Sequence, residues 1–588
     1  MRPVERAVRH AAFGLFALQF VLLDCALRGK DAALITGIPS AVAWGGLALV
    51  ARSLPARVAL ALVAGALSVV EVTFFRNYHG FVDVDAALAA RRMWTDVAPV
   101  LRAELPSTLA LVFVTALVEL GLLGLAPKAR KRPIALAACA SLAVLPWLGR
   151  GPDATLLRAS RALFGTMHAP AAGNVEVGLL PSRSPRLPHV LVLLTESVRA
   201  SDYCKDPGTA CETAPETARR LPNRTALLEL RSLGSYTAIA VNALLAGRMP
   251  LGNREEIART PLVFDYARSI RARDGSRPHV HYWSAQTDSL FERADVRSAV
   301  DSMVTLDELF GRKVDGVEEV IESRADERLA AHVERELPGL AGPLFVFLHL
   351  SGTHAPYYVD PERAPFRPYR HVAGWSGLEE LHAAYKNAIV AQDQSVKRML
   401  DAFLQRVAGE PYVVIFTSDH GEAFGEHKAI LHGQNVYDEQ IHVPGFVAAS
   451  NGALSQSQSL ALASHGREAV THLDIVPTLL DVWGVWSSFA MTGYRAHLPG
   501  RTLLEPFPSQ AEQLPVTNCT ELFPCPLKNW GVLGRERVLV SQAWDAGWRC
   551  ADLGRGELEV PLVDPECARL VRASYALWPT LPNGSPNR

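Results

Sequence analysis

Five long apolar stretches occupy the first 150 residues and are separated by charged loops. They lie at 11–27, 32–51, 58–75, 107–126 and 134–149. Most approach the ~20 residues that a bilayer-spanning helix requires. Buried helices of a soluble domain are the alternative for any single stretch. Because five follow one another, the pattern favours a five-helix transmembrane region over residues 1–150.

Basic residues in the connecting segments predict the orientation of these helices. The positive segments are the amino terminus with Arg2, Arg6 and Arg9, the loop with Arg52 and Arg57, and "KARKR" at 128–132. Short loops rich in Lys and Arg stay in the cytoplasm, and these three lie on one side if every stretch spans. The residues after 150 are therefore predicted to be extracytoplasmic. A cleavable signal peptide is the alternative for the first stretch, but the stretches that follow argue against it.

From residue 189 onward, short apolar runs alternate with longer stretches that favour helix. This alternation is typical of an α/β domain with a central, mostly parallel sheet covered on both faces. The predicted divisions are 1–150 for the membrane region, 151–188 for an interfacial helix and linker, 189–545 for the main domain and 546–588 for a C-terminal extension.

The net charge and the positions of the cysteines bear on the partners and the cellular compartment of the protein. The formal net charge is −1, so the sequence does not suggest a nucleic-acid partner, which would be held through its phosphates. Six of the eight cysteines lie in the exported part, and disulfides persist in oxidising compartments such as the periplasm. Metal binding is the alternative, but no paired C-x-x-C spacing supports it. The predicted neighbouring pairs are Cys204 with Cys211, Cys519 with Cys525, and Cys550 with Cys567.

Three apolar runs of the main domain end in polar residues that can carry chemistry. They read "HVLVLLTE" (189–196), "LFVFLHLSGTH" (344–354) and "YVVIFTSDH" (412–420). In open α/β sheets, ligands bind outside the carboxyl ends of the strands. We therefore expect Glu196, His354, Asp419 and His420 at one edge of the sheet. Carboxylates and imidazoles are ligands for a divalent cation such as zinc or manganese.

A candidate nucleophile lies in "SLGSYTAIAVNALLAGRMP" (232–250). Thr237 begins a helix-like run that Gly247 is expected to close as a C-cap. At a helix N-terminus the backbone amides and the dipole favour an anion, and a metal there could lower the pKa of the hydroxyl. The alternative is that Thr237 is only the N-cap of the helix. Ser235 is a second, weaker candidate for the nucleophile.

These segments together resemble a known family. The motifs "LLTESVRASDY", "AGRMP", "GTHAPY", "SDHGEAFGEH…LHG…YDEQIHVP" and "HLDIVPTLLDVWG" are similar, in this order, to those of the alkaline phosphatase/sulfatase superfamily over roughly residues 189–505. Five apolar stretches before such a domain resemble its membrane-anchored branch, which contains lipid A phosphoethanolamine transferases and lipoteichoic-acid synthases.

The resemblance implies roles for individual residues. Glu196, Thr237, Asp419 and His420 match the ligands of one divalent metal, with zinc favoured and manganese possible, and Thr237 also matches the nucleophile. His354 and His432 match histidines that contact the substrate phosphate or a second metal. Glu422, Glu426 and His427 follow the strand end, and we expect them to be loop residues that shape or hydrogen-bond the ligand shell, with His427 not itself a member of the site.

The implied function is a transferase of the bacterial inner membrane with a periplasmic catalytic domain. It would move a phosphoethanolamine- or phosphoglycerol-like group from a phospholipid donor to a lipid or glycan acceptor of the envelope, through a phosphothreonine. The sequence departs from sulfatases that carry formylglycine, because Thr237 replaces their Cys or Ser and Val241 replaces their Arg. One alternative is a phosphodiesterase or sulfuric ester hydrolase of the same superfamily. Another is a non-catalytic envelope-assembly or binding protein, but no predicted ligand or nucleophile is missing.

Overall fold

The chain forms two compact units in a computed structural model. The first contains Met1–Met167 with Pro524–Pro526, and the second contains His168–Phe523 with Leu527–Arg588. The structure describes residues 3–28, 37–78, 81–84, 86–88, 94–125, 145, 151–163, 175–204, 211–251, 256, 259–287, 291, 293, 295–314, 324–371, 375, 377–508, 513–518, 528–542, 547–554, 559–582 and 585–587.

The first unit is helical. Its helices are α1 (Pro3–Arg28), α2 (Ile38–Val50), α3 (Leu54–Tyr78), α4 (Trp94–Leu125) and α5 (Pro152–Leu163). Three of them contain apolar segments long enough to cross a membrane: Val4–Leu27, Leu54–Arg76 and Leu105–Leu125.

The five predicted spans are therefore confirmed only in part. Helix α2 has 13 residues, and at 1.5 Å per residue it measures ~20 Å, less than the ~30 Å hydrocarbon core of a bilayer. The fifth stretch, 134–149, lies outside the described residues except for Leu145. The structure thus supports a multi-helix apolar region, and the count of five stays a prediction.

The second unit is built from strands and shorter helices. Its strands are β1 (Leu180–Pro181), β2 (His189–Thr195), β3 (Thr225–Ala226), β4 (Leu230–Arg231), β5 (Ile270–Arg271), β6 (His279–Ser284), β7 (Ser302–Val304), β8 (Leu344–His349), β9 (Tyr412–Ser418), β10 (Ala423–Phe424), β11 (Ile430–Leu431), β12 (Gly445–Ala449), β13 (Val470–Thr471), β14 (Leu514–Thr517), β15 (Asn529–Leu533), β16 (Arg537–Gln542), β17 (Arg549–Asp552) and β18 (Glu559–Val560). Its helices are α6 (Pro215–Arg220), α7 (Thr237–Ala246), α8 (Val263–Ser269), α9 (Leu306–Phe310), α10 (Ala325–Glu336), α11 (Leu378–Arg406), α12 (Asp438–Ile441), α13 (Gln456–Ser464), α14 (Ile475–Val482), α15 (Thr492–Arg495) and α16 (Pro565–Leu577).

A seven-stranded sheet forms the centre of this unit, in the order β3-β12-β9-β2-β8-β6-β7. The five strands from β9 to β7 are parallel to their neighbours. Strand β12 runs antiparallel to both β9 and β3. The sheet is therefore mixed, and the prediction of a mostly parallel sheet holds only for these five strands. A parallel neighbour of β9 would need a connection that crosses back to the opposite edge of the sheet. An antiparallel neighbour needs no such crossover, so the chain returns directly from β9 to β12.

Both faces of the sheet are covered by apolar packing. Val190, Val192 and Leu194 of β2 belong to one core cluster, which includes residues of α7, α8 and α14. Leu191 and Leu193 point to the opposite cluster, which includes residues of α10 and α11. The near-continuous apolar run of β2 is thus explained by burial on two sides.

A second, five-stranded antiparallel sheet runs in the order β14-β15-β16-β17-β18. Strands β16 and β17 pair with each other, so this sheet continues across the division predicted between residues 545 and 546. The division itself stays a prediction. A disulfide between Cys550 of β17 and Cys567 of α16 joins this sheet to the helix, and Cys204 is bonded to Cys211. These two predicted pairs are confirmed, while the pair at 519 and 525 lies outside the described residues.

The disulfide between Cys550 and Cys567 closes a loop whose ends are 17 residues apart. Its replacement by alanines should lower the free energy of unfolding by ~3 kcal/mol, because the crosslink restricts the unfolded chain. Trp530 stacks on Trp578, with ring centroids 5.1 Å apart, in the same apolar cluster as the two cysteines. Tryptophan fluorescence in urea can therefore measure the loss of stability. Cys25→Ala, which breaks no disulfide, is the control. An unchanged urea midpoint in the double variant would contradict a stabilising role.

Candidate active site

Parallel pairing brings the first two predicted site residues to one edge of the central sheet. Strands β2 and β9 align with Thr195 opposite Ser418, so Glu196 and Asp419 leave the sheet side by side. Both side chains are completely buried. The backbone N–H of Ser197 donates to Asp419 Oδ1 at 2.9 Å. One oxygen of the Asp419 carboxylate is therefore fixed by the backbone of the neighbouring strand end.

Thr237 is the first residue of α7, and its side chain reaches the same point. Its hydroxyl donates to Glu196 Oε1 at 2.9 Å and lies 3.1 Å from His420 Nε2. Tyr236 occupies the N-cap position, so the alternative that Thr237 is only the N-cap is wrong. Gly247 ends the helix in the left-handed conformation, with φ of 58°, as its predicted role as a C-cap requires.

The second candidate nucleophile points elsewhere. Ser235 is buried, and its hydroxyl donates to the backbone oxygen of Asn435 at 2.5 Å. Its hydrogen bond thus joins the loop that precedes α7 to the segment between β11 and α12. Thr237, in contrast, contacts two of the predicted metal ligands.

His420 is the meeting point of the predicted ligand set. Its Nε2 lies 3.3 Å from Glu196 Oε1, 3.3 Å from Asp419 Oδ2 and 3.1 Å from the Thr237 hydroxyl. Its Nδ1 is 2.9 Å from the carbonyl oxygen of Gly421 and must donate a proton to it. In the neutral ring the lone pair therefore lies on Nε2, facing three oxygens. The structure thus brings together all four residues that the sequence predicts as ligands.

The electrostatics of these buried groups reflect the close approach of two carboxylates to one imidazole. Burial and the nearby charge of Glu196 raise the pKa of Asp419 to about 7. Burial alone would lower the pKa of His420, but the charges of Asp419 and Glu196 raise it to about 9. Burial opposes ionisation of Glu196 as well, yet its hydrogen bond with His420 holds its pKa below the usual range.

These observations fit a divalent cation at this point. Asp419 Oδ2 is buried and has no hydrogen-bond partner, and an unpaired buried carboxylate oxygen is costly unless it binds a cation. The donors are two carboxylates, one imidazole and one hydroxyl, a set that suits zinc or manganese. The residues that would hold the ion are Glu196, Thr237, Asp419 and His420.

Sequence reasoning missed a further histidine, His349, at the end of β8. It is completely buried, and its Nε2 lies 3.8 Å from Glu196 Oε2 without a hydrogen bond. Glu196, His349 and Asp419 form one of the groups with metal-ligand spacing. The signal was present, because His349 ends an apolar run as Glu196 and Asp419 do. Gln286, also missed, donates to Glu196 Oε2 at 2.9 Å.

The two predicted substrate-binding histidines lie together beside this centre. The rings of His354 and His432 are 5.2 Å apart, and the ring of His432 is 4.5 Å from that of His420. With Glu196 they form a second group with metal-ligand spacing. The Nδ1 atom of His432 contacts Glu422 Oε1 at 3.1 Å, and that of His354 contacts the carbonyl oxygen of Ala355 at 2.7 Å. In the neutral tautomer both rings therefore keep their lone pair on Nε2.

The loop residues Glu422 and His427 make different contacts. Glu422 is completely buried and also accepts a hydrogen bond from the Tyr357 hydroxyl at 3.2 Å. His427 instead contacts Glu439 at 3.1 Å and stacks on Tyr437 with ring centroids 3.6 Å apart. Glu422 thus supports His432, while His427 makes its contacts in a different part of the loop.

Comparison with known proteins agrees with this geometry. The family model described as Sulfatase matches residues 188–485, just over half of the chain. The chain belongs to the sulfatase family. The predicted membership of the alkaline phosphatase/sulfatase superfamily is thereby confirmed.

Individual relatives of this sulfatase-family chain match shorter segments. Phosphatidylethanolamine transferase Mcr-2 of Escherichia coli is 29% identical over 150 residues, which cover 24% of this chain and 27% of the relative. Phosphoethanolamine transferase EptA of Helicobacter pylori is 31% identical over 125 residues, covering 20% and 23%. The chain thus spans about a quarter of the length of these curated relatives.

One solved structure resembles this chain in fold over most of its length. The integral membrane protein lipooligosaccharide phosphoethanolamine transferase A of Neisseria meningitidis has a TM-score of 0.51 at 14% identity, and the match covers 84% of this chain and 98% of that protein. At this identity the likeness concerns the fold alone. Because the match covers 84% of this chain, it extends over parts of both units described above.

The ligand set gives a direct test for a bound metal. Wild-type protein purified without chelator should hold about one divalent ion per chain, because the buried carboxylates and imidazole form one set of donors for such a cation. Asp419→Asn should weaken metal affinity by at least about tenfold, because it removes a buried charge that the cation balances. Competition with a chromogenic chelator measures the affinity, and His427→Gln is the control for a nearby histidine. Equal metal affinity in Asp419→Asn and wild type would contradict this site.

Proposed function

We propose that this protein is a membrane-anchored, metal-dependent transferase that moves a phospholipid head group, with its phosphoryl group, to an acceptor of the bacterial envelope. The transfer runs through a covalent phosphothreonine at Thr237. The observation that carries the proposal is the contact of the Thr237 hydroxyl with both Glu196 and His420, 2.9 and 3.1 Å away, at the N-terminus of a buried helix.

In the first step, Thr237 Oγ1 forms a bond to phosphorus and the bond from phosphorus to the diacylglycerol oxygen breaks. The hydroxyl proton passes by way of Glu196 Oε1, to which it is directed, to the leaving diacylglycerol alkoxide. In the second step, the oxygen of an acceptor hydroxyl forms the new bond to phosphorus, the bond from phosphorus to Thr237 Oγ1 breaks, and the acceptor's hydroxyl proton passes to Thr237 Oγ1. A divalent cation held by Glu196, Thr237, Asp419 and His420 would stabilise, as a Lewis acid, the charge that develops on the phosphoryl oxygens.

Residues around Thr237 are suited to hold the phosphoryl group. The first backbone amides of a helix have no partner within that helix, so they favour an anion. His354 and His432 lie beside the centre and can donate to phosphate oxygens when their Nε2 atoms are protonated. The site thus combines a nucleophile with groups that bind the phosphoryl oxygens.

The named relatives favour one head group. Mcr-2 and EptA are described as phosphatidylethanolamine and phosphoethanolamine transferases. A phosphoethanolamine group is therefore the first choice for this chain, ahead of phosphoglycerol. A catalytic role is preferred to a purely structural one because the nucleophile and every predicted ligand are present and in contact.

Replacement of Thr237 tests the covalent step. Thr237→Ala should lower the transfer rate by at least about 10³-fold, since the nucleophile is lost, whereas Thr237→Ser retains a hydroxyl and should retain measurable activity. Mass spectrometry after incubation with phosphatidylethanolamine should find one added phosphoethanolamine on the Thr237 peptide of wild type. Thr492→Ala is a matched control, because Thr492 is also the first residue of a helix but is exposed. Normal turnover by Thr237→Ala would rule out the proposal.

Product analysis separates transfer from hydrolysis. With phosphatidylethanolamine as donor and isolated envelope lipids as acceptors, a transferase should release diacylglycerol and yield a modified acceptor. The sulfatase-like hydrolase alternative should release free phosphoethanolamine at the same rate with or without acceptor. Chromatography of a head-group-labelled donor distinguishes the two outcomes, and Thr237→Ala provides the blank.

A further inference from the structure

A buried carboxylate outside the ligand set anchors the loop that follows β8. Asp326 is the second residue of α10 and is only 6% exposed. Its Oδ1 accepts from the backbone N–H of Ser351 at 2.8 Å, and its Oδ2 accepts from that of Gly352 at 3.0 Å. Oδ2 also accepts from Gln392 Nε2 at 2.9 Å. One carboxylate thus fixes two consecutive amides of this loop and one side chain of α11.

The anchored loop leads directly into the active site. Thr353, which follows the two fixed amides, donates from its hydroxyl to the backbone carbonyl oxygen of Glu196. Gln392 Nε2 also lies 3.3 Å from the Thr353 hydroxyl. His354 is the next residue. The network therefore connects Asp326 to the backbone of a predicted metal ligand and to a predicted phosphate contact.

The approach of the carboxylate to the loop leaves no room for a side chain. A Cβ atom built on Gly352 would lie 2.6 Å from Asp326 Oδ2. Such a distance is far inside van der Waals contact, so the loop and the carboxylate could not keep their positions if Gly352 carried a methyl group. The close contact of the Asp326 carboxylate with the loop therefore requires a glycine at position 352.

We infer that Asp326 is a positioning residue for the catalytic centre, acting through residues 351–354 on Glu196 and His354. The inference rests on the proposed function, because it assigns a task to that same site. Asp326 touches neither Thr237 nor the other predicted ligands in any described contact. Its effect should therefore appear in the placement of Glu196 and His354, and so in metal affinity and turnover.

Asp326→Asn is the principal test. An asparagine retains one accepting oxygen but presents an NH₂ group to donors, so at least one of the three hydrogen bonds is lost. Loss of a residue that orients metal ligands should lower metal affinity and kcat by about 10- to 100-fold. KM for the phospholipid should change less than about threefold, since the donor's lipid part is not contacted.

Asp393→Asn is a matched control for the loss of a buried aspartate. Asp393 lies on α11 and accepts from the backbone N–H groups of Glu216 and Thr217, at 2.7 and 3.0 Å, and from the Thr217 hydroxyl. It therefore also anchors two consecutive amides and one side chain, but at the start of α6. Both variants should lose a similar amount of thermal stability, and only Asp326→Asn should lose metal affinity and kcat.

A second pair of variants tests the connection itself. Thr353→Val removes the hydroxyl that donates to Glu196 and should reproduce the loss of metal affinity, while Thr353→Ser should restore it. The double variant Asp326→Asn/Thr353→Val should lose less than the product of the two single losses, because both act through one network.

The outcomes separate this inference from the proposed function. If wild type transfers head groups and Asp326→Asn matches it in kcat and metal affinity, the positioning role is wrong. It is equally wrong if Asp393→Asn loses metal affinity to the same extent. If wild type shows no transfer but Asp326→Asn still weakens metal binding, the proposed function fails and the positioning role stands.

Discussion

The site depends on the burial of two carboxylates beside each other. Glu196 and Asp419 are completely buried, and the register of β2 against β9 brings them together at one sheet edge. Two neighbouring buried charges of one sign are unfavourable unless positive charge or donated protons compensate them. The raised pKa values of Asp419, about 7, and of His420, about 9, express this lack of compensation. A divalent cation would compensate both charges. The hydrogen bonds from Ser197 to Asp419 and from Gln286 to Glu196 keep the two carboxylates in place for it.

The one departure from a parallel sheet has a functional meaning. Because β12 runs antiparallel to β9, the connection between them begins and ends at the same edge of the sheet. That connection, 419–444, carries Asp419, His420, Glu422 and His432. A parallel neighbour would have required a crossover to the opposite edge. The antiparallel strand therefore lets one segment supply both the predicted metal ligands Asp419 and His420 and the predicted phosphate contact His432.

The parts of the site that could be predicted are those that depend on local sequence. Glu196, Asp419 and His420 follow apolar runs, and the carboxyl ends of parallel strands meet at one edge of a sheet. His349 is also at the carboxyl end of a parallel strand. In sequence it lies between Leu348 and Leu350, so it reads as a residue of the strand itself. The direction of β12 is not encoded in its short apolar sequence, because alternation of side chains is the same for both directions.

The contacts that hold the loops could not be predicted, for a different reason. Asp326 is about 25 residues before the loop that it anchors, and Gln392 lies on a helix that follows that loop. Each reads in sequence as an ordinary polar residue of an amphipathic helix. Only tertiary packing shows that the two side chains share one hydrogen-bonded network. The composition and spacing of the sequence identify candidate catalytic and metal-binding residues. They do not identify the residues that orient those side chains.

The helix that carries Thr237 completes the physical argument. Every residue of α7 after Thr237 is buried, and at its end a Cβ on Gly247 would lie 2.9 Å from the side chain of Val476. A helix packed on all sides cannot turn or slide without disturbing the core, so its first hydroxyl has a fixed position. A double displacement requires one oxygen that first accepts the phosphoryl group and then releases it at the same place. The tight packing of this apolar helix would therefore suit Thr237 to both steps of the proposed transfer.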